Sequence, residues 1–203
     1  VDIASMNLFA KILEGRFVRL EPVTEDLRED LRAALDCDPQ SWEIMSTNGC
    51  GEGFGDWWGE MMAQVGKGER IGYAIRQKSD ARIVGTTSFL NIRRLHRGVE
   101  LGSTFLHPDV RSGFVNPESK RLLLGQAFDT AEAVRVEFMI DERNSRSQAA
   151  VTKLGATREG SLRNHKITWT GHVRDTVVLS ICDFDWPGIR DRLDMRLKEY
   201  AGS

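Results

Sequence analysis

From Gly98 onward, apolar and polar positions alternate. Val99, Leu101, Ser103 and Phe105 fall on one side, and Glu100, Gly102 and Thr104 on the other. A period of two predicts a β-strand. Phe105 and Leu106 are adjacent apolar residues, and a slip of that kind marks a bulge, which leaves backbone groups free to bind something. His107-Pro108 ends the strand, because proline cannot donate to a ladder. The period then changes. Leu123, Leu124, Ala127, Phe128 and Ala131 recur at three- and four-residue spacing and form one helical face. Asn116 suits the N-cap of that helix, Pro117 its first position and Glu118 its first turn. This strand, loop and helix are the stretch around which the chain is organised.

Upstream, residues 16–23 read as a first strand ended by Pro22. Thr24 caps a helix through about Leu35, with Leu27, Leu31 and Leu35 at four-residue spacing. Gly49, Gly51, Gly53 and Gly55 fit neither Gly-x-Gly-x-x-Gly nor Gly-Lys-Ser/Thr, so that stretch reads as a loop. A helix over about Asp56 to Val65 carries Trp57, Trp58, Met61, Met62 and Val65. It is either core or the wall of an acceptor pocket in which Trp57 binds substrate. Strands over about 70–77 and 82–93 make an antiparallel meander with the central strand.

Downstream, Val134, Val136, Phe138 and Ile140 alternate with Arg135, Glu137 and Met139. This strand follows a helical crossover and should run parallel to its predecessor. Asn144 caps a short helix that Gly155 terminates. A hairpin follows, 157–169 and 173–181. A last helix begins at Asp185-Trp186-Pro187, with Ile189, Leu193, Leu197 and Tyr200 on one side. The expected fold is α+β: an α/β sandwich whose mixed, mostly antiparallel sheet holds one parallel pair at its centre. A single domain is expected over 1–203, with a core at about 16–186 and a C-terminal helix at about 187–200.

Composition narrows the function classes. The chain has 203 residues, 40% hydrophobic and 29% charged, with net charge −2. That suits a globular domain and gives no global electrostatic case for nucleic acid. No apolar run approaches the length of a membrane span, and Val1 to Leu13 lacks the features of a signal peptide. Cys37, Cys50 and Cys182 are odd in number and far apart, which argues against a disulfide framework and fits a reducing cytoplasm. No Asp/Glu/His cluster has metal-ligand spacing.

The loop Arg111 to Asn116 offers backbone N–H groups ahead of a helix N-terminus, with the charge of Arg111 beside them. Together these suit a pyrophosphate. Further residues stand in order along the chain: Glu100-Leu101-Gly102, His107-Pro108-Asp109, Arg135-Val136-Glu137, Asp141 to Asn144, Lys153-Leu154-Gly155-Ala156, Glu159 to Arg163, His165 and Arg174-Asp175-Thr176. This ordered set resembles the GNAT superfamily of acyl-CoA-dependent N-acetyltransferases, closest to the branch of the ribosomal-protein N-terminal acetyltransferases. The resemblance spans roughly residues 16–186. It implies that the parallel pair splays and that the pantetheine of acetyl-CoA lies in the gap. It further implies coenzyme contacts from Phe105, Leu106, His107, Arg111, Ser112, Gly113, Phe114, Val115, Asn116 and Asn144, with no metal. The family's loop is usually Gln/Arg-x-x-Gly-x-Gly/Ala, and here Phe114 and Asn116 stand at the small-residue positions.

Acyl transfer to an amine needs a base, donors for the oxyanion and a proton for the leaving thiolate. An α-amine has a pKa of about 8, so a weak base or a water relay suffices. Glu100 is the candidate base, since burial would raise its pKa into a useful range; a solvated glutamate or salt-bridge partner is the other reading. Ser147, in the first turn of the short helix, is the candidate acid, or orders a water. Many relatives carry a tyrosine a few residues later, where this chain has Val151. His165 and Asp175, on opposite arms of the hairpin, are candidates for substrate binding; a surface cross-strand pair is the alternative. Cys50 lacks the surroundings of a nucleophile.

The expected activity is acetyl transfer from acetyl-CoA to a protein or peptide N-terminus, or to a small amino compound, by direct attack. The alternative is a catalytically degenerate acyl-CoA-binding or interaction domain, motivated by Phe114, Asn116 and Val151. The last helix and the aromatic helix are also a candidate homodimer surface.

Overall fold

A computed structural model describes residues 5–202; positions 1–4 and 203 of the expected domain lie outside the described residues. Eight strands form one sheet: β1 (Leu13–Glu14), β2 (Val18–Pro22), β3 (Ile71–Gln77), β4 (Ile83–Arg93), β5 (Gly98–Leu106), β6 (Arg135–Asp141), β7 (Thr157–Ile167) and β8 (Val173–Cys182). Their order is β1-β2-β3-β4-β5-β6-β8-β7. Among the described residues only β5 and β6 are parallel, and they sit inside the sheet. The helices are α1 (Arg28–Leu35), α2 (Pro39–Trp42), α3 (Phe54–Gly66), α4 (Val115–Gly125), α5 (Ser145–Leu154) and α6 (Trp186–Ala201). The expected mixed sandwich is the observed architecture.

Each face of the sheet carries its own core. On one face, Leu123 and Leu124 of α4, Val151 of α5 and Ile189 and Leu193 of α6 pack on Val99, Leu101, Val136 and Leu179. On the other, Leu31 and Leu35 of α1, Trp42 of α2 and Phe54, Trp57, Trp58 and Met61 of α3 pack on Ala74, Ile83 and Phe105. The two helices expected to form a dimer surface therefore turn their apolar faces inward. Trp186 of α6 stacks on Phe128 at 5.6 Å, and Asp194 holds Arg121 at 2.6 Å.

The bulge in β5 lies earlier than the sequence pattern suggests. Thr86 pairs with Phe105 and Ser88 with Gly102, so the single residue Thr87 faces both Ser103 and Thr104. Ser103 adopts φ +48°. One extra residue reverses the side-chain parity beyond it. Phe105 therefore leaves the face of Val99 and Leu101 and joins the aromatic core of α3.

Helix α4 also starts differently. Its first helical residue is Val115, with Phe114 preceding it, and Asn116 makes no capping bond. The ladder reaches back to Phe114, whose carbonyl accepts from the Glu118 amide at 3.0 Å. Pro117 is tolerated because first-turn amides have no intrahelical acceptor. The Glu118 carboxylate accepts from the backbone amides of Arg16, Phe17 and Val18 at 2.8, 2.7 and 2.6 Å, which ties the β1–β2 turn to this helix.

Candidate active site

Parallel pairing between β5 and β6 covers Gly98 with Arg135, Val99 with Val136 and Glu100 with Glu137. Yet β5 runs on to Leu106 and β6 to Asp141. The strands part after Glu100 and leave a fork at their carboxyl ends, the edge where ligands bind in open α/β sheets.

Glu100 stands at the apex of that fork. It is half-buried and faces away from Val99 and Leu101. Its carboxylate lies over Gly102, where an added Cβ would come within 3.3 Å of Oε1. Among the described residues it makes no hydrogen bond or ion pair. Burial raises its pKa, and Glu137 reinforces the rise against the opposing charges of Lys166, Arg174 and Arg93. Glu137 is itself held by Arg93 at 2.6 Å and Arg135 at 3.1 Å. A half-buried carboxylate with a raised pKa and no direct partner is suited to accept a proton.

The loop lies beside the fork. Among the described residues the amides of Ser112, Gly113, Phe114, Val115 and Asn116 donate to no protein acceptor. Ser112 takes φ +67°, so the chain turns sharply into α4. Unpaired amides at a helix N-terminus suit an anion. Phe114 does not fill this space: its ring stacks on Phe17 at 4.5 Å and meets Tyr200 edge-on at 6.1 Å. The side chain of His107 accepts from the Asp109 amide at 3.3 Å. Leu106 is half-buried, while Phe105 and Val115 are buried.

Arg111 differs from expectation. Its guanidinium is paired with Asp38, donates from Nε to the Leu106 carbonyl at 2.8 Å and lies over the Phe105 ring. Its charge is thus already neutralised within the protein, and it ties the α1–α2 link to the end of β5.

Asn144 caps α5, accepting from the Ser147 amide at 3.0 Å. Ser147 is half-buried, and its hydroxyl has no recorded partner among the described residues. His165 and Asp175 do not pair. A register shift between Leu162 and Lys166 places the His165 ring against the Thr176 hydroxyl at 3.0 Å, while Asp175 accepts from the Asn164 amide at 2.7 Å. Successive strand residues point to opposite faces, so one ring cannot meet both. Trp57 is a core residue, 4% exposed against Trp42, Phe54 and Trp58. Cys50 is buried, and burial plus its bond to Asp36 raise its thiol to about 11, which removes it as a nucleophile at neutral pH.

Three buried cations make contacts that sequence reasoning did not foresee. Arg70 donates to the hydroxyls of Ser88 and Ser103, both at 2.9 Å. Arg174 bonds Thr176, Ser46 and the Met139 carbonyl. Lys120 donates to Thr104 at 2.9 Å. Their charge gave no apolar signal, and only the helical phase of Lys120, four residues before Leu124, pointed inward.

The sheet is forked at its parallel pair, and open amides stand at the N-terminus of the helix that follows, as the family resemblance implied. The family model described as Acetyltransferase (GNAT) domain matches residues 18–157, and the chain belongs to that family of enzymes. A protein from T. thermophilus, provisionally named an acetyltransferase, is 34% identical with a TM-score of 0.83 over 93% of this chain and 98% of that one. A GCN5-related N-acetyltransferase from Brucella melitensis is 24% identical with a TM-score of 0.86, over 92% and 85%. Mycobacterium smegmatis RimJ, in complex with CoA-disulfide, is 18% identical with a TM-score of 0.75 over 88% of each chain. Ribosomal-protein acetyltransferases are among the further structures of this fold. No curated protein matches the chain by sequence.

Proposed function

We propose that this enzyme transfers an acetyl group from acetyl-CoA to a primary amine, either a protein or peptide N-terminus or a small amino compound, by direct attack. The observation that carries this reading is the position of Glu100 at the apex of the fork, beside a loop whose amides are unspent. When bound, the coenzyme supplies an activated thioester. The amides of Ser112 to Asn116 would hold its pyrophosphate, and the open edges of β5 and β6 would flank its pantetheine. Glu100 accepts the proton that the attacking amine loses. The Ser147 hydroxyl, or a water it orders, passes a proton to the departing sulfur and takes one back from solvent. His165 and the face of β7 and β8 around Thr176 contribute to the acceptor side. A reducing cytoplasm suits the three free thiols.

Turnover by Glu100→Gln, measured alongside coenzyme affinity, tests the assignment. Loss of turnover with affinity intact supports it, and full retention removes it. The RimJ complex supports the donor by likeness of fold.

A further inference from the structure

Gly72 of β3, Ser88 of β4 and Gly102 of β5 are cross-strand neighbours. Their row carries one hydroxyl and no larger side chain. It lies on the face of the sheet that packs against α3, since a Cβ added at Gly72 would meet Val23 and Met61 of that core. Two opposite charges lean over this row. The Glu100 carboxylate comes from β5, with Oε1 3.3 Å from where a Cβ of Gly102 would stand. Arg70, which immediately precedes β3, comes from the other side and donates from Nε to Ser88 and from Nη2 to Ser103, each at 2.9 Å. Yet the two charges do not pair. Arg70 is 7% exposed and makes no ion pair among the described residues. Burial brings its pKa down to about 10, and the carboxylates whose charge reaches it, Glu60 and Glu100, stand beyond bonding distance. Glu60 accepts from Gln64 instead, at 2.6 Å. The third guanidinium nitrogen, Nη1, has no recorded partner. It is not sealed either: among the described residues the sealed side-chain nitrogen without a partner is Nε of Arg19. A buried guanidinium is ordinarily matched by a carboxylate. Here the protein supplies two hydroxyls and leaves Nη1 open.

A carboxylate and a guanidinium held apart over one floor match a ligand of the reverse polarity, with an ammonium at one end and a carboxylate at the other. We infer that the acceptor is a free α-amino acid, or a close aminocarboxylate, whose carboxylate sits on Nη1 of Arg70 while its amine faces Glu100. The nitrogen–carbon bond of the product forms as the carbon–sulfur bond of the donor breaks. Of the two protons the ammonium nitrogen gives up, one leaves through Glu100 and the other balances the proton that the sulfur takes. A peptide N-terminus carries an amide where this carboxylate would be, and an amide leaves the buried guanidinium without a counter-charge. The inference rests on the acetyl-transfer reading above and narrows its acceptor from amines in general to one class. It also gives the bulge a part in recognition, because the hydroxyl that orients Nη2 belongs to Ser103.

Steady-state rates with acetyl-CoA and a panel of free amino acids, their α-amides and matching tripeptides test it, in the wild type and in Arg70→Gln. In the wild type at least one free amino acid should exceed its own amide in kcat/KM by about tenfold or more, the scale of a charge-assisted hydrogen bond. Arg70→Gln should remove that preference through KM and leave the amide within about twofold of its wild-type value. Arg70→Lys keeps the charge without the planar fork and should restore part of the preference. Glu100→Gln, by contrast, should lower kcat for acid and amide alike. Amides or tripeptides that equal or exceed the free amino acids overturn the inference and leave the acetyl-transfer reading standing. A preference for the acid that survives Arg70→Gln also overturns it. Turnover of no amine at all removes the broader reading as well. If Arg70→Gln does not fold, Arg70→Lys decides: a KM for the amino acid equal to that of the wild type overturns the proposal.

Discussion

The ring of Phe114 stacks on that of Phe17, with centroids 4.5 Å apart and planes inclined by 29°. A bulky side chain at a small-residue position of the loop is thereby drawn off the amides and used to anchor the N-terminal strands. Phe114→Ala should lower stability by about 1–3 kcal/mol, since the ring is half-buried and loses an aromatic partner. At this chain length that is a fall in Tm of roughly 2–4 °C per kcal/mol. Acetyl-CoA affinity measured on the folded variant should hold; a large loss would place the ring in the coenzyme site.

The Glu118 carboxylate satisfies three backbone donors at once. Glu118→Gln keeps the shape but sets an amide group against N–H donors. The expected cost is about 2–3 kcal/mol, the scale of a charged hydrogen-bond acceptor removed from a buried site. Urea unfolding measures it, and an unchanged midpoint contradicts the anchoring role.

Acidity should report on Glu100. Burial raises its pKa, so as pH falls the carboxylate takes up a proton earlier than an ordinary glutamate and the base form is lost. The kcat/KM profile should show an acid limb above the usual carboxylate range. Glu100→Gln should remove the limb and lower the rate by about 10²–10⁴-fold, as loss of a general base does. A variant that retains the wild-type profile assigns the limb to another group.

Lys120 makes a prediction of opposite sign for stability. Burial lowers its pKa from 10.5 to about 8. Between those values the unfolded chain holds a proton that the folded chain has released, so the contribution to stability rises with pH across that window. Below about pH 8 the buried charge is retained at a cost. Lys120→Met should remove the pH-dependent rise and stabilise the ligand-free protein at pH 7 by on the order of 2–4 kcal/mol. Denaturation at pH 7 and pH 10 checks both.

The parallel pair was legible in the sequence because a period of two, then of about three and a half, then of two again leaves few topologies. Glu100 was legible because alternation puts it opposite Val99 and Leu101. The bulge was mislocated because Ser103 and Thr104 carry no apolar signal, so the parity reversal became visible only at Phe105. The pairing of Arg111 was not legible because its partner Asp38 lies 73 positions away, and a pairing of that separation leaves no local mark. His165 and Asp175 looked paired because the register shift between them cannot be read from alternation.

The extra residue at Ser103 has a further consequence. β5 contributes Val99 and Leu101 to one hydrophobic compartment and Phe105 to the other. β5 therefore serves both packing units, as β3 does through Tyr73 and Ala74 and β4 through Val84 and Ile83, but in β5 it is the bulge that carries Phe105 across. Changes among the aromatic residues of α3 reach the strand at Phe105, whereas changes in α4, α5 or α6 reach it at Val99 and Leu101. Substitutions in the α3 core and in the α4, α5 and α6 core therefore meet β5 at different residues, on either side of one residue of left-handed backbone.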